Sequence, residues 1–214
     1  MISVILNLTP QDQSAHLAAI VILFPFVSFL LVSLSPYYLP GLDIARIEGK
    51  YFDVANNHSI DVKISVGPSG GCMWFNDTTP KCSTKIPYVP NAEHLHLQPN
   101  SNLTSIFPIA MGRVLALNHV MVGLMGLSMI AVLLDILVLK GGISLFIIYF
   151  TGFMLWLVYF LESTYIGTMS NRLDDIYEAK EWEYHTGGGF IMISVSVFVA
   201  SFFLCGGGSI SAGD

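Results

Sequence analysis

The chain has 214 residues, 53% hydrophobic and 11% charged, with a mean hydropathy of +0.65, a balance that excludes an ordinary soluble domain. A formal net charge of −6 leaves no basic surface for nucleic acid. These values point to a membrane protein.

A helix needs about 20 apolar residues to cross a hydrocarbon core roughly 30 Å thick. Four stretches meet that length with few or no charges, at about 17–35, 114–138, 143–165 and 189–205. The flank before the first, MISVILNLTPQDQSAH, has no Lys or Arg and carries Asp12, the wrong n-region for a signal peptide. Ser33 and Ser35 resemble a cleavage site, but Pro36 follows directly, so the stretch is read as a retained first span.

Residues 36–112 form a long polar loop that contains Cys72 and Cys82 and most of the prolines. It carries three N-x-S/T acceptors, at Asn57, Asn76 and Asn102. Sequons beside a cysteine pair indicate an extracytoplasmic, oxidising surface. Within the loop, Ile60, Val62, Ile64 and Val66 alternate with Asp61, Lys63 and Ser65, the period of a half-buried strand. Gly67, Pro68, Ser69, Gly70 and Gly71 break that strand, and Cys72 to Phe75 runs into the turn-rich Asn76 to Pro80 before the chain returns at Cys82. The expectation is a hairpin stapled near its open end, which stabilises a layer too small to have much core of its own.

With that loop outside, the termini and the turn around Lys140 are cytoplasmic, and residues 166–188 form a second external loop. Most Lys and Arg then fall outside, which the positive-inside rule tolerates because long loops translocate largely regardless of charge. The stretch RLDDIYEAKEWE, Arg172 to Glu183, holds five acids against two cations. It reads as a solvated helical turn beside the membrane, the alternative being a contact surface for a partner or the cell wall.

Several side chains invite a chemical reading. His94 and His96 follow Glu93 and fall on one side of an extended chain, so they are candidates for metal binding or for sensing pH between 5 and 8. No third ligand stands at recognisable spacing, and solvent-facing loop histidines are the simpler reading. Arg113 is expected to snorkel to the outer interface, and His119 to hydrogen-bond a neighbouring helix or the underside of the ectodomain. Asp135 and Glu162 read as interfacial groups near span ends. Cys205 is either a buried free thiol or a palmitoylation site at the cytoplasmic boundary. No nucleophile-base pair or metal constellation is displayed, so no catalytic residue, metal or cofactor is assigned.

The Gly67, Gly70, Gly71, Cys72 run, the spacer, and Cys82 followed by Ser83 resemble the first-loop motif of the fungal Sur-seven/PalI family of claudin-like tetraspan plasma-membrane proteins. The stretch Leu117-Asn118-His119-Val120 resembles the opening of that family's second span. The resemblance implies a mainly α membrane protein: a four-transmembrane-helix claudin-like bundle with a small disulfide-stapled β ectodomain. It further implies a non-catalytic role in organising membrane domains, in cell-wall integrity or remodelling, and in polarised growth or cell fusion during mating. Expected partners are membrane lipids, other membrane proteins or further copies of the chain, and cell-wall components. The nine residues after Cys205 favour this over recruitment of a cytosolic signalling cascade. The alternative is an accessory or sensor subunit of a larger membrane complex, such as a wall-polymer synthase or an ambient-pH signalling assembly.

Overall fold

The computed structural model describes residues 23–53, 58–76, 79–90, 105–134, 143–175 and 182–206. Among them, two helices are long and apolar enough to cross a membrane, Ile109–Leu134 and Phe146–Asp175, and two shorter apolar helices are Leu23–Ser33 and Gly188–Phe202. Helix α1 is Leu23–Ser33. Helix α2, Ile109–Gly112, passes through a 3-10 turn, Arg113–Ala116, into α3, Leu117–Leu134. Helix α4 is Ile143–Asp175 and α5 is Gly188–Gly206. Each apolar stretch of the sequence therefore holds a helix, and residues 17–22 and 135–138 of those stretches lie outside the described residues.

Helix α4 sets the architecture. At 1.5 Å per residue its 33 residues extend about 50 Å, well beyond a core of about 30 Å. Its buried side chains are Thr151, Leu155, Val158, Glu162, Tyr165, Met169 and Leu173, steps of three and four that trace one face. Phe146, Phe153 and Phe160 lie on the exposed side. The stripe continues through residues 166–175, where the end of the apolar stretch at 165 had placed the start of a loop. The helix persists there because Met169 and Leu173 still have core to face.

The sheet has five strands: β1 Ala45–Asp53, β2 His58–Gly67, β3 Gly70–Phe75, β4 Lys81–Ser83 and β5 Trp182–Thr186. All neighbouring pairs are antiparallel, in the order β4-β3-β2-β1-β5. The expected alternating strand is β2, and the expected stapled hairpin is β3 with β4. Strands β1 and β5 were not anticipated. The acidic Arg172 to Glu183 stretch includes the expected solvated helical turn at Arg172 to Asp175, exposed except for Leu173, and is more than that turn among its described residues. It comprises the end of α4 and the start of β5, because Trp182 and Tyr184 turn inward in alternation with Glu183 and His185.

Strand register gives the sheet two unlike faces. Ile47 pairs with Ile64 and Tyr184, and Ile64 with Met73, so one cross-strand row is apolar. This face packs on the top of α4 and on Tyr88, Ile106 and Phe107, forming one continuous core with the helix bundle. Gly71 lets the Tyr88 ring lie directly on β3, where a Cβ would collide with it. Gly70 turns β2 into β3 at a φ of 126°, a conformation open to glycine.

Candidate recognition surface

The opposite face of the sheet carries the charged partners of the same alternation. One row runs Glu183, Glu48, Lys63, Trp74 across β5, β1, β2 and β3. The next pairs Lys50 with Asp61. Together these side chains line a concavity of about 460 Å³, floored by the backbone around Gly49 and Val62. Lys63 Nζ lies 3.7 Å from Glu48 Oε1 and 5.5 Å from the centre of the Trp74 ring. Arg46 reaches the same Glu48 oxygen at 3.6 Å. Half-exposed pairs of this kind contribute little to stability, so the row is a chemical surface rather than a structural brace.

A buried carboxylate anchors this surface to the helices. Asp43 is fully buried and receives both arms of the Arg46 guanidinium, at 2.8 and 3.2 Å, and the Ser65 hydroxyl at 2.7 Å. Its carbonyl accepts from Gly189 N–H at 2.9 Å, while Gly187 N–H donates to Ile44 O at 3.0 Å and Ile44 N–H to Val66 O at 2.9 Å. One short segment thus ties β1, β2 and the β5–α5 junction together. A Cβ at Gly187 or Gly189 would strike the carbonyls of Asp43 or Leu42, which accounts for glycine there. On the other side, Ser69 in the β2–β3 turn docks on the end of α1, its hydroxyl donating to Ser35 O at 2.6 Å.

Cys72 and Cys82 stand directly opposite each other on β3 and β4 and are joined by a disulfide. Ser83 pairs with Gly71 across the same ladder. Among the sequons, Asn76 is exposed at the end of β3, where its side-chain oxygen accepts from Asp61 N–H at 2.9 Å. Asn57 and Asn102 lie outside the described residues, as do Glu93, His94, His96, Asp135 and Lys140. Cys205 falls in α5, with its side chain outside them.

Within the bundle, the structure corrects two expectations. Glu162 is not interfacial: it is fully buried and accepts a hydrogen bond from the Asn118 amide of α3. His119 is exposed on the outside, and Asn118 takes the inward position assigned to it, because Asn118 shares a face with Met121, Met125 and Ser128. Ser128 and Thr151 make a second α3–α4 hydrogen bond at 2.7 Å, and Trp156 Nε1 donates to Ser201 of α5 at 2.7 Å. Such side-chain bonds help to hold the apolar helices in register. Arg113 is exposed above them.

Among the described residues, no three His, Cys, Asp or Glu side chains come together as a metal-binding group. Asp43, Tyr88 and Trp182 are the residues of consequence that sequence reasoning passed over, and Glu162 is the one it misplaced. Only Trp182 had a local signal, the alternation Trp182, Tyr184 against Glu183, His185. No protein-family model matches the chain, and no curated protein matches it.

Proposed function

We propose that the chain is a non-catalytic, multi-pass plasma-membrane protein that acts by contact. In this reading four helices span the bilayer, both termini are cytoplasmic, and the sheet lies outside the cell as a claudin-like ectodomain. The observation that carries it is the two-faced sheet: its apolar side is consumed by the helices, and its charged, concave side is turned away from them. A surface so built is available to partners while the bundle packs laterally. Together with the resemblance to the Sur-seven/PalI family, this supports a role in organising membrane domains and in cell-wall integrity or remodelling, polarised growth or cell fusion.

Two experiments test the proposal. Tagged protein is expected in stable patches at the cell surface, and in mild detergent as homotypic clusters; a stoichiometric large enzyme in the same preparation would instead make it an accessory subunit. Glycosidase treatment is expected to shift the mobility of the wild-type protein and to leave it unchanged once Asn57, Asn76 and Asn102 are all replaced. A shift that persists would implicate the acceptor in Asn7-Leu8-Thr9, which the proposed topology leaves unmodified in the cytoplasm, and would invert the topology.

A further inference from the structure

The concave outer face has three properties that the fold does not require. Its rim mixes both charge signs, with Glu48, Asp61 and Glu183 against Lys50 and Lys63. Its single aromatic, Trp74, is half-buried at one end. And Glu48 and Glu183 are direct cross-strand neighbours, with Arg46 and Lys63 against Glu48 and His185 Nε2 3.7 Å from Glu183 Oε2. Glu183 leans into solvent there, its side chain 81% exposed.

From this combination we infer that the concavity is a binding subsite for a neutral saccharide chain outside the cell. The inference rests on the proposed orientation of the sheet and names the ligand class its outer face takes. Its volume falls within the range of small-ligand sites. A polyanion would meet three carboxylates and a polycation two lysines, while an apolar peptide would find only Val62 and Trp74. A pyranose answers each feature: its ring C–H face lies on the indole, and its hydroxyls donate to Glu48 and Glu183 and accept from Lys50 and Lys63. The two adjacent carboxylates offer paired acceptors for neighbouring hydroxyls. Lys63, now over the indole, moves toward Glu48, already within 3.7 Å.

The test uses the full chain in mild detergent, titrated calorimetrically with neutral tetrasaccharides of glucose, mannose and N-acetylglucosamine. At least one is expected to bind saturably with a Kd of about 0.1–1 mM, weakened about tenfold by Trp74→Ala and about threefold by Glu183→Gln, with exposed Lys85→Ala as an unchanged control. Glu183→Gln keeps the test decisive if Trp74→Ala fails to fold. Absence of saturable binding, or binding that both variants leave unchanged, overturns the inference. A Thr78→Ala protein, lacking the Asn76 acceptor motif, separates an attached glycan from an external one. Binding by that variant alone would mean that the chain's own glycan fills the concavity, which also overturns it. Failure of this test would leave the patch localisation of the protein as an independent measure of the domain-organising reading.

Discussion

Replacing Asp43 by Asn should strongly destabilise the sheet. The carboxylate is fully buried and takes two bonds from Arg46 and one from Ser65, all charge-assisted. The Asn variant keeps the shape but removes the charge, and it turns an N–H₂ group toward one of those donors. Arg46, about a quarter exposed, can partly rehydrate; the buried end of the network cannot. Breaking such a pair costs about 3–5 kcal/mol. For a chain of this size, each kcal/mol lowers Tm by about 2–4 °C, giving a drop of about 6–20 °C. Because the Asp43 and Ile44 backbone joins β2 to the β5–α5 junction, the loss should be local to the sheet. Thermal unfolding of the detergent-purified chain, with amide hydrogen exchange of β1, β2 and β5 read by mass spectrometry, measures both. Arg46→Lys, which keeps the charge but loses the fork, should fall between the two proteins. An Asp43→Asn protein that melts within about 2 °C of wild type, with unchanged exchange in those strands, would refute the reasoning.

Other consequences follow from single contacts. Cys72→Ser or Cys82→Ser opens a ten-residue separation and should cost about 2.5–3 kcal/mol, seen as retention in the secretory pathway; normal surface arrival of both variants would show the staple dispensable. Gly71→Ala, whose Cβ meets the Tyr88 ring, should destabilise by about 1–3 kcal/mol, while Gly123→Ala, with open space around it, should leave the melting curve unshifted. Burial pushes the Tyr88 hydroxyl up to about 12, so the folded state holds this proton over a range where the unfolded chain has lost it. Stability from this group is fully present below about pH 10 and falls by about 2–3 kcal/mol as pH rises to 12, so Tyr88→Phe should make the alkaline decline in pH-dependent unfolding shallower by that amount. Asn118→Leu removes the side-chain partner of Glu162 and should cost about 1–3 kcal/mol. Adding Glu162→Leu should recover much of that loss in a double-mutant cycle, and strictly additive losses would show the pair uncoupled.

What could be read from the sequence was what is local in it. The length of apolar runs marked the helices, the alternation at Ile60 to Val66 marked β2, and turn residues between Cys72 and Cys82 marked the hairpin. Each signal sits within a single stretch of at most about 25 residues and is written by length or periodicity, with no need of a distant partner. The disulfide followed because a hairpin brings its own ends together.

The remaining decisions belonged to partners far apart in the chain. Strand β5 joins β1 across more than a hundred residues, so nothing near Trp182 announces that Gly49 leaves room for its ring. Glu162 looked like an interfacial acid because its burial depends on Asn118, 44 positions away on another helix. Asp43 carried no pattern at all: its role exists only where Arg46, Ser65 and the Gly187 to Gly189 backbone converge. The outer concavity is of the same kind, since Glu183, Glu48, Lys63 and Trp74 become a row only through strand register. Hydrophobic periodicity assigns a residue to a face; which faces meet is settled when burial and hydrogen-bond satisfaction are met for all elements together.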